Sequence, residues 1–313
     1  MKHLLREEGM LVAGVFALAL SCVPAGAQMD RRPAVQQKTK TPHVAAANID
    51  WNAPYPSTVE LKQRVLENLK KSQAEQERYV CRTTHENDVT DKNGNVKKRE
   101  VKQYDMFFVN GQEIHELTAK DGKPLNTNQQ KKEAERVQEQ IKKDSDMKYV
   151  AKRDAENEKQ LDTLLRMLRF ANGHRIELQG RSTLVYSLSV DPDVHPKGTE
   201  ETFLHSMSGT IQVDESTGEL VDLNARLDHD VKLGAGLLAN LHKGLWIHIR
   251  QHRYSDGVWL PELAEGNGDA RAALFFHPYF KFRQIMNGCA LTSVTTSEGA
   301  AAVAGRTMRD NSN

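Results

Sequence analysis

Four histidines, His229, His242, His248 and His252, are the side chains from which a metal or proton-transfer site could be assembled. His248 and His252 stand four apart, the spacing at which a helix brings two imidazoles to one zinc ion. A Glu directly after the first would then supply the general base of a hydrolase. Here Ile249 follows His248, and Ile247, Ile249 and the turn residues Ser255-Asp256-Gly257 describe a strand instead. On a strand, residues four apart share a face but lie about 13 Å from one another, too far for one ion. A shared zinc would need His242 or His229 beside His248 from a neighbouring strand, so a zinc-dependent hydrolase is the third choice of function. His229 is also the one polar member of an apolar stripe, where a buried, hydrogen-bonded histidine is expected.

The other cluster of chemical interest is aromatic: Phe275, Phe276, Tyr279, Phe280 and Phe282 fall within eight residues. Such rings either fill a core with Trp246 and Trp259 or line a cavity for an apolar ligand. A Gly-x-Ser-x-Gly elbow and a Walker-type phosphate loop are both absent from the sequence. Gly266-Asn267-Gly268 reads as a hairpin turn. Lys plus Arg number 43 against 42 acidic residues, so no net field draws the chain to nucleic acid or to an anionic surface. No cofactor is expected.

These residues need elements to position them. The first 27 residues carry an apolar run, Leu11–Leu20, and end in Ala25-Gly26-Ala27, the pattern of a cleaved secretory signal. Lipid attachment at Cys22 is the lesser alternative, because Leu20 stands one place too late. Cleavage leaves Cys81 and Cys289, which could form one disulfide in an oxidising compartment. Residues 28–56 read as a flexible leader. Ser57 and Glu60 begin a capping box ahead of the stripe Leu61, Val65, Leu66 and Leu69, which predicts a helix to about Gln76. Turns at Asp91–Gly94, Asn110-Gly111 and Asp121-Gly122 then predict a three-strand meander.

Residues 126–171 interrupt the strands. Of the 30 residues from Lys131 to Gln160, 17 are charged with both signs interleaved, as on a solvated helix. Leu161, Leu164, Leu165 and Leu168 share a helical face that must dock, and Asn172-Gly173 is expected to stop that helix. Beyond it, Val221, Leu223, Ala225, Leu227, His229, Val231 and Leu233 alternate with polar residues over thirteen positions, predicting one long strand. The residues from Asp269 to Ile285 predict another strand, bent at Pro278. The total is roughly nine to eleven antiparallel strands, which have one wet face and one covered face. The fold class is α+β: a strongly curved antiparallel sheet, or half-open β-barrel, with an N-terminal helix and a helical insertion covering the concave face. The single domain spans 57–296, and 297–313 form a disordered tail.

This order of secretory signal, opening helix into "ERYVCRTT", meander, helical insertion after "DGKPLNTNQQKKEAERV" and long second half reaching "GVWLPE" resembles the LolA/LolB-like periplasmic lipoprotein carriers. The likeness covers about residues 57–296 and consists of element order and short echoes. It implies a periplasmic or secreted, non-enzymatic, monomeric carrier whose partner is a lipid or a lipoprotein acyl chain held between sheet and helical lid. The candidate cavity and lid residues are Leu161, Leu164, Leu165, Leu168, Leu223, Leu227, His229, Val231, Phe276, Phe280 and Phe282. The highly charged 126–160 arm is a departure from that family. It gives the alternative reading, a sensing module that engages an envelope protein.

Overall fold

A computed structural model describes residues 49–196, 199–233, 239–254, 256–272 and 279–292. The signal, Cys22, Phe275, Phe276, Pro278 and the 297–313 tail lie outside them. Ser57 caps α1 (Thr58–Gln76), its Oγ accepting from Glu60 N at 3.1 Å. The strands β1 (Tyr79–Thr90), β2 (Val96–Val109), β3 (Gln112–Lys120) and β4 (Lys123–Pro124) follow as the expected meander. Their turns place Gly94, Asn110, Gly111, Asp121 and Gly122 at positive φ, as tight reversals require. Two helices come next, α2 (Thr127–Asp144) and α3 (Met147–Met167). Asn126 caps α2 with a full capping box to Gln129.

The second half consists of β5 (Leu168–Leu178), β6 (Arg181–Val190), the short α4 (Thr199–His205), β7 (Met207–Asp214) and β8 (Leu220–Leu227). It continues with β9 (Val231–Leu233), β10 (Ala239–Leu241), β11 (Trp246–Arg253), β12 (Trp259–Ala272) and β13 (Tyr279–Leu291). All pairings are antiparallel and make one sheet of thirteen strands, more than the sequence suggests, that is not closed into a barrel. Its order is β4-β3-β2-β1-β13-β12-β11-β8-β7-β6-β5, with β10 branching between β12 and β9. The first and last strands pair along the middle, with Cys81 opposite Cys289 and bonded to it.

Four sequence expectations are corrected. The thirteen-residue strand is divided, because β8 ends at Leu227 and Asp228 N bonds to Ser206 O at 2.9 Å, turning the chain away from the ladder before β9. Gly266 and Gly268 lie inside β12, where a Cβ would meet Trp246 O at 2.5 Å and Leu245 Cγ at 2.7 Å, so close packing and not a turn selects them. Asn172, at φ +54, sits at a bulge between Ala171 and His174 in β5; α3 has already ended at Met167, so Leu168 belongs to the strand. Residues 49–56 are placed rather than loose, fastened by Arg175, whose guanidinium donates to Trp51 O at 3.2 Å and Ala53 O at 3.1 Å.

Helices cover both faces. Leu61 and Val65 of α1 pack on Phe170, Leu184, Tyr186, Leu188, Ile211 and Val213. Val137 and Ile141 of α2 pack on Phe107, Val109 and Ile114. Strand alternation puts Phe107 on the side opposite Met106 and Phe108, so α2 lies on the other face of the sheet from α1. The insertion therefore does not cover one face as a unit. Polar ties hold α1 as well: Ser72 Oγ donates to the buried Glu219 carboxylate at 2.6 Å, and Asn68 Nδ2 donates to it too.

Removing the apolar anchor of α1 by Leu61→Ala is expected to cost about 2–5 kcal/mol in urea unfolding. Reducing Cys81–Cys289, which closes a loop of 208 residues, is expected to cost about 2–5 kcal/mol in the same assay. An unfolding midpoint unmoved by reductant would show that the bridge is dispensable.

Candidate functional site

The pairing register defines a continuous face. Ala225, Ile247, Gly266 and Phe282 are successive partners across β8, β11, β12 and β13, and their side chains share one side with those facing α1. This inner face is apolar from β5 to β13. Met167, Phe203, Leu204, Leu227, Val231, Leu245, Ile247 and Phe282 form one buried cluster there, to which α3 and α4 contribute. Of the candidate cavity residues, Leu227, Val231 and Phe282 are thus core members, with Phe280 packed at their margin. Leu223 and Leu168 pack at the margin of the α1 cluster. Leu165 is buried on α3, which also carries Leu161 and Leu164, whose side chains lie outside the described set, as does Phe276.

His229 is not in the apolar stripe. It is exposed, in the bend after β8, with Nε2 at 2.9 Å from Ser206 Oγ. The remaining histidines also go separate ways. His242 Nδ1 faces Asp230 at 3.2 Å, His248 Nε2 faces Asp222 at 2.8 Å, and His252 stacks edge-on against Tyr254. His248 is the cross-strand partner of Glu265, to which its Nδ1 comes within 3.5 Å. Among the described residues, no three His, Cys, Asp or Glu side chains converge as metal ligands.

Sequence reasoning missed a polar continuation of the inner face. From Ala264 the row runs through Gln284, His85, Lys102 and Lys120, across β12, β13, β1, β2 and β3. His85 and Lys102 are buried, and the His85 ring lies 4.6 Å from that of Tyr104 and 5.2 Å from that of His115. Glu100 accepts from Lys102 and Lys120, each at 2.8 Å, which neutralises the buried ammonium. Burial, then His115 and Lys102, pushes His85 down to about 3, so its imidazole is neutral near pH 7. Thr83 and His85 share this face with Glu100, Lys102 and Tyr104, and the meander's many charged residues gave no sign that it buries a second face. This patch can hydrogen-bond a polar group beside the apolar half.

On the outer face, Glu116 lies opposite Asp105 beneath α2. Burial, with Asp105 and Glu133 adding repulsion against the attraction of Arg136, pushes Glu116 up to about 7.

The helices leave an opening. Leu66 and Glu67 of α1 and Ala155, Glu158, Lys159 and Asp162 of α3 line a groove of about 480 Å³. Residues 154–159 of α3 are all exposed, whereas both ends of the helix are fixed. Near the start, Arg153 donates to Asn110 O at 2.7 Å and reaches Asp144 Oδ1 at 3.3 Å; at the end, Leu165 and Met167 are buried. Among the described residues, no helix is long and apolar enough to cross a membrane.

No protein-family model, curated protein or solved structure matches this chain.

The buried carboxyl has a pH consequence. Glu116 holds its proton in the fold to about pH 7 but releases it near 4.5 when unfolded, so stability falls as pH rises between those values. His85 gives the opposite slope between about 6.5 and about 3, because only the unfolded chain takes up its proton there. Glu116→Gln should therefore remove the loss and raise stability at pH 8 by about 2 kcal/mol, read from urea midpoints across pH. An unchanged profile would mean Glu116 is solvated.

Proposed function

We propose that this chain is a carrier or binding protein for a hydrophobic ligand, such as a lipid or the acyl chain of a lipoprotein, acting in the bacterial envelope without catalysing a reaction. The observation that carries the reading is the apolar inner face of the sheet, on which α1, α3 and α4 pack; beside it an open groove of about 480 Å³, with four charged residues in its lining, separates α1 from the unsupported middle of α3. Leu66 and Ala155 are its apolar members beside Glu67, Glu158, Lys159 and Asp162, and it adjoins α1, which is seated on the apolar inner face. In this reading α3 is the lid: tilting about its fixed ends would extend the groove towards Leu165, Leu168 and the sheet. Leu227, Val231 and Phe282 belong to the buried cluster under the end of α3 and line no part of the groove.

The Cys81–Cys289 bridge is compatible with an oxidising compartment and supports the secreted or periplasmic assignment. The resemblance of the element order in the sequence to the LolA/LolB-like carriers supports the same reading. The exposed, charged middle of α3 favours a second reading, a docking arm for an envelope protein.

The test is lipid binding. Protein isolated from the envelope should carry lipid detectable by mass spectrometry and should take up a fluorescent fatty acid. Leu66→Trp, which fills the groove, should weaken that uptake about tenfold without lowering thermal stability, and Leu165→Asp should weaken it as well. Absence of both bound lipid and uptake would overturn the proposal. Loss of a protein partner on deleting 126–160, with uptake intact, would favour the arm reading.

A further inference from the structure

Three of the large hydrophobic side chains left in water lie within nine residues of one another. Trp51 is 55% exposed, Tyr55 49% and Val59 75%. They occupy the segment before α1 and its first turn, and the fold fixes that segment in place. Arg175, on β5, has a side chain only 2% exposed and is clamped by two bonds to Glu215, at 2.6 and 2.7 Å. Its remaining donors take the carbonyls of Trp51 and Ala53, and the Tyr55 ring lies over its guanidinium at 4.9 Å. Pro54 and Pro56 stiffen the same stretch.

A buried ion pair thus fixes the backbone that carries Trp51, and the Tyr55 ring covers it with one face while staying half exposed. Nothing in the core requires this arrangement, because α1 is anchored by Leu61, Val65, Ser72 and Asn68 without it. Tryptophan and tyrosine are the residues that settle at the boundary between lipid headgroups and acyl chains, where a ring is half apolar and half hydrated. Upstream, residues 28–50 carry Arg31, Arg32, Lys38 and Lys40 against Asp30 and Asp50, a net basic sequence suited to anionic headgroups.

We infer that the Trp51–Tyr55 strap, held by Arg175, is a docking surface for the interface of an anionic phospholipid bilayer. The contact is peripheral: the rings enter the headgroup region and the sheet stays in water. It rests on the carrier reading only in giving the protein a surface at which to load or release a ligand, and it can hold or fail by itself.

The experiment uses the chain from Gln28 onward with vesicles of phosphatidylcholine alone or mixed with phosphatidylglycerol. Wild type should sediment with the mixed vesicles and show a blue shift of tryptophan emission that brominated lipid quenches. Trp51→Ala combined with Tyr55→Ala should weaken partitioning by about tenfold or more and abolish the shift, with the thermal midpoint lowered no further than in Tyr55→Ala alone, which loses the ring over Arg175. Arg175→Gln, which frees the strap but keeps the rings, should give an intermediate loss. Fatty-acid uptake measured without vesicles should be the same in wild type and the double variant, so failure of docking and failure of ligand binding are read separately. Absence of vesicle binding by wild type, or equal binding by the double variant, would overturn the inference; so would retention by an envelope protein that depends on Trp51 in the absence of lipid.

Discussion

The constraint on which the architecture depends is the pairing of the first strand with the last. β1 and β13 run antiparallel over their full lengths, from Tyr79 opposite Leu291 to Thr90 opposite Tyr279. Their seam divides the sheet into a short wing, β2 to β4, and a long wing, β12 to β5. Because β4 and β5 are then opposite edges, the chain between them must travel from one edge to the other. That segment is α2 and α3, which is why one helix lies on each side: α2 stays on the outer face of the short wing, and α3 ends at the inner face of the long one.

Alternation along the strands then sorts the side chains. Apolar groups meet helices on the inner face of the long wing, while the inner face of the short wing carries His85, Lys102, Tyr104 and His115. Burial of charge there is tolerated because each ion has its counterpart within the same row, as Lys102 and Lys120 share Glu100. The result is an inner face that is apolar on one side of the seam and polar on the other.

Much of this was legible in the residues. The cap at Ser57, the meander turns, the two charged helices and the antiparallel character all depend on local rules of sequence within a few positions, and the structure has them. What escaped depended on distant partners. His229 continues the period of the stripe, but Ser206 turns the chain before it. Gly266 and Gly268 resemble a turn until Trp246 and Leu245 lie against them. Leu168 completes a helical stripe by spacing, yet Val190 draws it into a strand. The groove between α1 and α3 was likewise unreadable, since spacing tells which faces are apolar and not which pairs stop short of meeting. The Arg175 clamp, 122 residues from Ala53, had no signal in the sequence at all.

The disulfide occupies a telling position in the seam. Tension applied through Arg78 and Thr292, where the backbone is joined by a bond of 2.7 Å, would fall on one end of the β1–β13 ladder. An antiparallel pair pulled from one end opens like a zipper, a rung at a time, the weakest geometry a sheet offers against force. Cys81 and Cys289 form the third rung from that end. The covalent link stands where such a rupture would start, so a pull that opens the first rungs goes no further, and the strands beyond it stay mechanically shielded.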